Sequence, residues 1–580
     1  MAKTAPPAPA PLAQSSALPI LPGLMLVLAA AAAPHVAYSQ TPSTTLYNQL
    51  AAVLGWGLAL WCIGRSVDKL RLDGTAGALL LLLASVFVSV LWNHLPLSLA
   101  LESEALLFAA LTVYLAGAGM RETLRVSAFS WLAWGLLVAG VLSLVVSVVQ
   151  VFVPSWTNSW LIAHSGLPGR AIGNMRQPNH LASLMMWACV AVTYLCDQKR
   201  LGRVSAVALP GLLFAFIFAI VLSASRTGMG GIALLMVWGA LDNSLKRSTR
   251  LCLLATPLML GLSWWLMSLW AHAGHVFGAE VRLESEGAGS PSRLAILRNA
   301  WELVKQNPWT GVGWGEFNLA WTMTPFPDRP IAFFDHTHNV LMQLAVELGL
   351  PLTALITGLL LWSLWRALSA SIAALGTEAA MRRSAIMVVL TIGVHSMFEY
   401  PLWYAYFLLP AAFAMGLAAP AGEPSPKSSA SGLLEIFGAV LIAGSLYAVW
   451  DYSRVVQIYA PSDKPTPLAQ RVLNGQNSIF FSTQADYAAA TSLPDNPYAL
   501  EATERTAHNL IDVRLMMDWA ETLHAAGDDE RARYVAARLR EFRNAQANDW
   551  FAPCKLLAEG AERPFQCDPP KRNFTWREMR

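Results

Sequence analysis

Charged side chains are scarce in this chain: 13% of its 580 residues are Asp, Glu, Lys or Arg, whereas 55% are hydrophobic. The net charge is only +3, and no basic stretch is interleaved with aromatic residues in the way that a single-strand binder needs. Nucleic acid is therefore excluded as a partner. Cysteine is rare as well, and four of the six cysteines lie in or beside apolar stretches.

The hydrophobic residues fall in runs of about 17 to 25, long enough to span the hydrocarbon core of a bilayer. The sequence therefore predicts an all-α polytopic membrane protein with about 12 to 13 transmembrane helices. The first run has features of a signal peptide, but Pro34 and His35 interrupt it, and we interpret it as a span. The predicted spans cover residues 17–36, 48–64, 74–92, 97–119, 126–153, 180–197, 204–225, 228–242, 251–270, 339–365, 384–400, 402–419 and 432–450.

Lysine and arginine accumulate in every second predicted loop, and such loops remain in the cytoplasm. The alternation places the loops at 154–179 and 271–337 on the opposite side, together with the tail after about residue 453, which in a bacterium is the periplasm. The basic loop residues are Arg65, Lys69, Arg71, Arg121, Arg125, Lys199, Arg200, Arg203, Lys246, Arg247, Arg250, Arg366, Arg382 and Arg383.

Four parts follow from this topology. They are N-terminal transmembrane helices at 1–270, a large periplasmic loop at 271–338, C-terminal transmembrane helices at 339–452 and a soluble, helical periplasmic domain at 453–580. In the last part, Gly527 and Asp528 separate two apolar stripes at helical spacing, which predicts a helical hairpin similar to one tetratricopeptide unit. Its cysteines, Cys554 and Cys567, are predicted to form a disulfide in this oxidising compartment.

Two histidines stand where the large loop enters the tenth predicted span. The segment Asp335-His336-Thr337-His338-Asn339 places two imidazoles at the membrane boundary, and imidazole exchanges protons near neutral pH. His338 is the first candidate for a catalytic base and His336 the second. A metal site at Asp335, His336 and His338 would need a third strong ligand that the sequence does not mark, so we expect no metal and no other cofactor.

Several arginines lie on the predicted outward side, against the positive-inside trend. A guanidinium group suits phosphate oxygens, so these residues are candidates for a site that binds a lipid-linked phosphate or pyrophosphate. The alternative is that single arginines extend to lipid headgroups or pair with loop carboxylates. The arginines are Arg170, Arg176, Arg226, Arg293 and Arg298.

Amide and aromatic groups accompany them. Asn174, Gln177, Asn179 and His180 crowd the entry to the sixth span, where they suit sugar hydroxyls, although Asn179 as a helix cap is the simpler interpretation. Beyond His338, Asn339 and Glu347 share a helix face, and Glu347 is a functional candidate or a structural hydrogen-bonding group. His395 and Glu399 lie one turn apart before Tyr400 and Tyr404, which are also typical of an interfacial aromatic belt.

Together these segments resemble the O-antigen ligase superfamily and, within it, the bacterial protein O-oligosaccharyltransferases, also called pilin glycosylation ligases. The family's spaced pairs fit Arg293 with Leu297 and His338 with Gly349. The resemblance covers most of the membrane part and is carried by GNMRQPNHLA (173–182), SASRTG (223–228), SRLAILRNAWELVKQNPWTGVGWGEF (292–317), HTHNVLMQLAVELG (336–349) and HSMFEYPLWYAYFLLP (395–410).

The resemblance implies transfer of an oligosaccharide from an undecaprenyl-pyrophosphate carrier to Ser or Thr of a periplasmic protein such as a pilin, with inversion and without a metal. It also implies residence in the bacterial inner membrane. An O-antigen ligase acting on lipid A core and an O-antigen polymerase are the alternatives within the superfamily. A flippase for lipid-linked oligosaccharide would need polar residues through the bilayer midplane, whereas here they concentrate at the outward ends of spans.

Overall fold

The computed structural model describes residues 17–286, 291–327, 329–420, 430–493, 497–555 and 563–580. Within these ranges the chain is helical and forms no β-strand. The first ten α-helices are α1 (Ile20–Ala31), α2 (Leu46–Ile63), α3 (Gly74–Asn93), α4 (Leu97–Gly119), α5 (Glu122–Phe152), α6 (Pro178–Asp197), α7 (Ser205–Ser223), α8 (Arg226–Leu241), α9 (Arg247–Leu254) and α10 (Thr256–His272).

The remaining helices belong to the large loop, the second helical group and the tail. In the loop they are α11 (Gly278–Glu286), α12 (Pro291–Gln306) and α13 (Phe317–Met323). The second group comprises α14 (Val340–Ala373), α15 (Gly376–Ser396), α16 (Ala405–Ala418) and α17 (Ala430–Tyr459). The tail contains α18 (Leu468–Gln476), α19 (Ser482–Ser492), α20 (Ala499–Ala507), α21 (Val513–Ala525), α22 (Asp529–Phe542) and α23 (Asn548–Phe551).

A helix lies at each of the thirteen predicted span positions. In the described part of the chain, eight helices are long and apolar enough to cross a membrane, or nine if α9 and α10, which meet at a bend of 43°, form one span. Three further apolar helices, α1, α8 and α16, are shorter, with 12, 16 and 14 residues. The prediction of an all-α polytopic membrane protein is confirmed.

Helix α6 lies at the centre of the bundle, where it packs against α5, α7, α8 and α15. In its most apolar stretch 94% of the residues are buried. A helix that is apolar all round and enclosed by others is a core element, and its first turn carries Asn179 and His180 into the interior. The first turn of α6 is thereby fixed in position by helices from both halves of the chain.

Helix α14 is kinked at Gly349, whose φ of 77° lies in the left-handed region. Pro351 follows and has no N–H for the carbonyl of Glu347, so that carbonyl accepts from Gly313 N at 2.9 Å. The carbonyl of Val346 accepts in the same way from Val312 N at 2.8 Å. The kink thus holds the large loop against the start of α14.

The tail packs on the large loop. Glu541 on α22 accepts from Arg329 Nε at 3.2 Å, and the ring of Phe542 stacks on that of Phe333 with centroids 3.9 Å apart. His508 Nδ1 lies 2.9 Å from a carboxylate oxygen of the fully buried Glu316. The loop segment that precedes the histidines is therefore enclosed between the bundle and the tail.

The predicted hairpin is present as α21 and α22. Gly527, with a φ of 81°, ends the first helix, and the Asp528 side chain caps the second by accepting from Arg531 N. Cys554 and Cys567 are joined by a disulfide.

Candidate active site

The carboxylate of Glu399 contacts residues from three other segments of the chain. It lies in the turn between α15 and α16, and its side chain is 5% exposed. One oxygen lies 2.7 Å from His338 Nδ1, just before α14, and the other forms an ion pair with Arg293 on α12. Asn179 at the start of α6 donates to that second oxygen at 2.7 Å. We refer to Arg293, His338, Glu399 and Asn179 as the acid–histidine cluster.

Ser225 extends the cluster to α8. Its hydroxyl donates to Asn179 Oδ1 at 2.7 Å and accepts from Gly228 N at 3.1 Å as the helix cap. Because the Asn179 carbonyl is held by this hydroxyl, the amide nitrogen is directed toward Glu399. The first turns of α6 and α8 therefore orient one carboxylate oxygen.

The backbone around His338 is in an uncommon conformation. His338 has a φ of 56°, in the left-handed region, which costs about 1–2 kcal/mol for a non-glycine residue. The neighbouring residues hold it there: Thr337 N donates to Gln343 Oε1 at 2.8 Å, and Asn339 caps α14 through Met342 N. Asn339 Nδ2 also donates to the Met397 carbonyl at 3.0 Å, two residues before Glu399. Strain of this kind is typical of functional sites.

Electrostatics keep Glu399 ionised. Burial alone would raise its pKa, but the hydrogen bond with His338 and the positive charge of Arg293 outweigh burial and hold the pKa below its usual value. An ionised Glu399 fixes the His338 proton on Nδ1, so the lone pair of the ring is on Nε2. The hydrogen bond found for the His338 ring among the described residues is the one at Nδ1. The arrangement suits a general base.

His336 lies beside the cluster against aromatic rings. Its ring stacks on Tyr400 at 4.3 Å between centroids, and the edge of Trp403 lies 5.0 Å away. Nδ1 is 3.2 Å from an Asp335 carboxylate oxygen without hydrogen-bond geometry. Tyr400 also meets the edge of the His338 ring at 5.1 Å, so it contacts both imidazoles. Burial raises the pKa of Tyr400, so its phenol stays protonated at neutral pH.

The remaining two candidate histidines are buried behind this layer. His180 Nδ1 is 2.9 Å from the Tyr406 hydroxyl, and its ring meets Tyr404 at 4.4 Å. His395 Nδ1 is 2.7 Å from the Ser183 hydroxyl. The His395 carbonyl accepts from Glu399 N at 3.0 Å, so the end of α15 positions the turn that carries the carboxylate.

The other predicted arginines have different surroundings. Arg170 Nε donates to the Ser223 carbonyl at 3.2 Å, next to the start of α8, where Arg226 is the first residue. Arg176 donates to the carbonyls of Thr44, Asn174 and Ala37, which fastens the loop before α6 to the first helices. Arg298 is exposed on α12, about 7.5 Å along the helix axis from Arg293. Arg293, by contrast, forms an ion pair with Glu399 of the cluster.

Three of the predicted polar residues form hydrogen bonds with backbone groups of the loops. Asn174 donates to the carbonyls of His35 and Leu161 and accepts from Ala163 N. The cap of α6 is Gln177, which accepts from His180 N, rather than Asn179. Glu347 accepts from Gly315 N at 3.1 Å and from Gln343 at 3.0 Å. These groups shape the loops that carry the site.

Ser225, Ser183 and Trp403 complete the site without having been singled out from the sequence. Ser225 had a readable signal, since a serine three residues before Gly228 at the start of an apolar run is an N-cap pattern. The contacts of the other two depend on how α6, α15 and α16 pack, which no local pattern reveals.

The chain matches three known families. Residues 384–553 match the C-terminal part of the virulence factor membrane-bound polymerases, residues 211–357 match the O-antigen ligases, and residues 171–196 match the protein glycosylation ligases. Each residue of the acid–histidine cluster lies in one of these segments.

Two curated relatives come from Acinetobacter baylyi (strain ATCC 33305 / BD413 / ADP1). A general O-oligosaccharyltransferase is 30% identical over 274 residues, 44% of this chain and 46% of the relative. A ComP-specific O-oligosaccharyltransferase is 22% identical over 382 residues, 64% of this chain and 66% of the relative. The chain thus matches less than two thirds of the length of either relative.

The fold and the site define a multi-pass membrane protein with a buried histidine–carboxylate–arginine cluster where its large loop meets the bundle. The chain is similar to the O-antigen ligases and to the protein glycosylation ligases in separate segments, and both curated relatives are named O-oligosaccharyltransferases. The resemblance noted in the sequence is confirmed at this level.

Proposed function

We propose that the protein is an O-oligosaccharyltransferase of the bacterial inner membrane. It moves an oligosaccharide from an undecaprenyl-pyrophosphate carrier to a Ser or Thr hydroxyl of a periplasmic protein such as a pilin. The names of both curated relatives support transfer of this kind. The basic loops support a periplasmic position for the site and the tail.

The observation that carries the proposal is the pair of His338 and Glu399. A hydroxyl is a weak nucleophile at neutral pH and needs a base within hydrogen-bond reach. With Nδ1 bound to Glu399 at 2.7 Å, His338 presents Nε2 to an acceptor hydroxyl. The negative charge of Glu399 stabilises the imidazolium that forms when the proton arrives.

The reaction balances as one inverting displacement. The acceptor oxygen forms a bond to the anomeric carbon while its proton passes to His338 Nε2, and the bond from the anomeric carbon to the pyrophosphate oxygen breaks. The electron pair leaves with undecaprenyl pyrophosphate. Arg293 is paired with the carboxylate that binds the base, Arg170 donates to the Ser223 carbonyl just before α8, and Arg226 is the first residue of α8, so these three are our candidates to stabilise the charge on the departing group.

Asn179 and Tyr400 have supporting roles in this proposal. Asn179 holds the Glu399 oxygen that also receives Arg293, so it keeps the carboxylate in one orientation. Tyr400 contacts both imidazoles and forms a wall against which a sugar ring can stack. The reaction as proposed needs no metal, since base and charge stabilisation are both supplied by side chains.

An O-antigen ligase acting on lipid A core, or a polymerase, is the second candidate, because residues 211–357 and 384–553 match families with those names. The chemistry and the site are the same in each case, and only the acceptor differs. The test is to reconstitute the protein with an undecaprenyl-pyrophosphate oligosaccharide and offer a pilin-like protein and a lipid A core acceptor in parallel.

Transfer is scored as a mass shift, with and without a chelator. A shift of the protein acceptor that survives chelation is the expected result. A shift of the lipid core alone would assign the chain to the ligase reaction, and loss of transfer on chelation would overturn the metal-free mechanism.

A further inference from the structure

The junction between α7 and α8 is joined to the acid–histidine cluster through one buried hydroxyl. Its residues, Ser223, Ala224 and Ser225, are 0%, 2% and 0% exposed, and we refer to them as the α7–α8 junction. Ala224 has a φ of 54°, in the left-handed region, which is unfavourable for a residue with a Cβ atom. Such a conformation persists only where the surrounding structure holds it.

Donors from two other segments hold the backbone of the α7–α8 junction. The Ser223 carbonyl accepts from Arg170 Nε at 3.2 Å, in the loop before α6. The Ala224 carbonyl accepts from Arg282 Nη1 at 3.2 Å, on α11. Within the junction, the Ser223 hydroxyl accepts from Ser225 N at 3.2 Å. The backbone of Ser225 is therefore fixed by its own neighbour and by contacts to both predicted outward loops.

The first turns of α6 and α8 approach each other very closely. A Cβ atom at Gly228 would lie 2.5 Å from Cβ of Ala182, closer than two such carbon atoms can come. Glycine is therefore required at this position for the two helices to pack as they do. Because Ala182 lies one turn after Asn179 and Gly228 one turn after Ser225, this packing sets the separation of the Asn179 and Ser225 side chains.

The hydroxyl of Ser225 determines which way the Asn179 amide faces. The hydroxyl accepts from Gly228 N at 3.1 Å, and it donates its single proton to Asn179 Oδ1 at 2.7 Å. With its oxygen held in this way, the amide presents its NH₂ group to Glu399 at 2.7 Å. The other Glu399 oxygen lies 2.7 Å from His338 Nδ1. Consecutive hydrogen bonds therefore connect Ser225 to the imidazole.

We propose that Ser225 is a positioning residue for the transfer reaction and acts on His338 through Asn179 and Glu399. This inference rests on the proposed function, because it takes His338 as the base. Without the hydroxyl, the Asn179 amide loses the partner of its oxygen and is free to turn that oxygen toward the carboxylate, which repels it. Glu399 then has one donor fewer and holds His338 Nδ1 less firmly.

The test measures transfer by the full chain, reconstituted with an undecaprenyl-pyrophosphate oligosaccharide and the acceptors of the previous section, as kcat and donor KM from pH 4 to 9. The variant is Ser225→Ala, and Ser225→Gly serves if loss of the helix cap unfolds it, since glycine is better tolerated than alanine as a cap. The matched control is Ser263→Ala. It removes another fully buried serine hydroxyl, one that donates to the Met259 carbonyl within α10.

We expect Ser225→Ala to lower kcat about tenfold, with an unchanged donor KM, because the buried hydroxyl does not contact the donor. The acidic limb of its pH–rate profile should move to higher pH, since a carboxylate that has lost a donor is protonated more readily. Ser263→Ala should match the wild type in kcat and in pH profile. A merely structural role of Ser225 would leave the pH profile in place.

A double-mutant cycle tests whether Ser225 acts through Asn179. In an Asn179→Ala background, Ser225→Ala should lower kcat no further. Independent losses that multiply would overturn this route, and a wild-type kcat and pH profile in Ser225→Ala would overturn the positioning role. Absence of transfer by the wild-type protein to every acceptor would instead overturn the proposed function itself.

Discussion

Replacing Glu399 by Gln tests the electrostatic core of the site with a side chain of almost the same shape. The carboxylate receives three donors, Arg293 and Asn179 on one oxygen and His338 Nδ1 on the other. An amide has one acceptor oxygen, so if it faces Arg293 and Asn179, its NH₂ group faces His338. The imidazole then accepts at Nδ1 and carries its proton on Nε2, where it can no longer act as a base.

The expected loss follows from the charge. A neighbouring carboxylate shifts the pKa of a paired cation by about 1–3 units. Each unit corresponds to about 1.36 kcal/mol, so about 1.4–4 kcal/mol of imidazolium stabilisation disappears. This predicts a ten- to thousandfold lower kcat. In the wild-type protein the pKa of Glu399 is depressed. The free energy that its negative charge contributes is therefore complete above the usual carboxyl pKa, and it is lost as the pH falls through the pKa of the folded state.

The assay is single-turnover transfer to a protein acceptor, followed by mass shift from pH 4 to 9. Glu347→Gln is the matched control, because a single oxygen of Glu347 accepts both Gln343 and Gly315 N, and an amide oxygen can keep both bonds. We expect this control to retain the rate within a few-fold, with an unchanged pH profile. A Glu399→Gln protein that matches the control would refute the role of Glu399.

Three further changes test the tail. Phe542→Ala should cost about 3–5 kcal/mol of local stability, because the buried Phe542 ring stacks on Phe333. We expect faster hydrogen exchange at 329–337 together with slower transfer. Unchanged exchange would contradict this prediction. Burial raises the pKa of Asp518 to about 6, so the stability of the tail should fall as the pH rises from 3.8 to about 6. Asp518→Asn should remove this pH dependence of stability, measured by hydrogen exchange from pH 4 to 8. An unaltered pH dependence in the variant would contradict the role of Asp518. Cys567→Ser should lower the stability of the tail by about 3 kcal/mol, measured by proteolysis of the full chain under oxidising conditions, and reduced wild type should match the variant.

Hydropathy was sufficient to place the helices, since each predicted span contains one. The kink in α14 is also readable, because Gly349 and Pro351 in one apolar run provide a left-handed residue and a missing donor. The packing of the tail on the large loop could not be predicted. It depends on pairs such as Arg329 with Glu541, which are 212 residues apart.

The site shows the same division. The residue types and motifs indicated His338, Glu399, Arg293 and Asn179 separately, because each is a polar group at the end of an apolar segment. Nothing in a single sequence indicates that one carboxylate joins the other three. Conversely, the guanidinium of Arg176 has the chemistry of a phosphate ligand, yet it donates to backbone carbonyls of the N-terminal segment. Unpaired carbonyls near a bilayer also require donors.

The most direct test of the central claim is transfer by His338→Ala, compared with wild type at equal expression and equal binding of the undecaprenyl-pyrophosphate oligosaccharide. We expect that no glycan reaches the acceptor protein while donor binding stays near normal, because the proton of the hydroxyl has no acceptor. Transfer at the wild-type rate would remove His338 from the role of base and leave His336 as the remaining candidate.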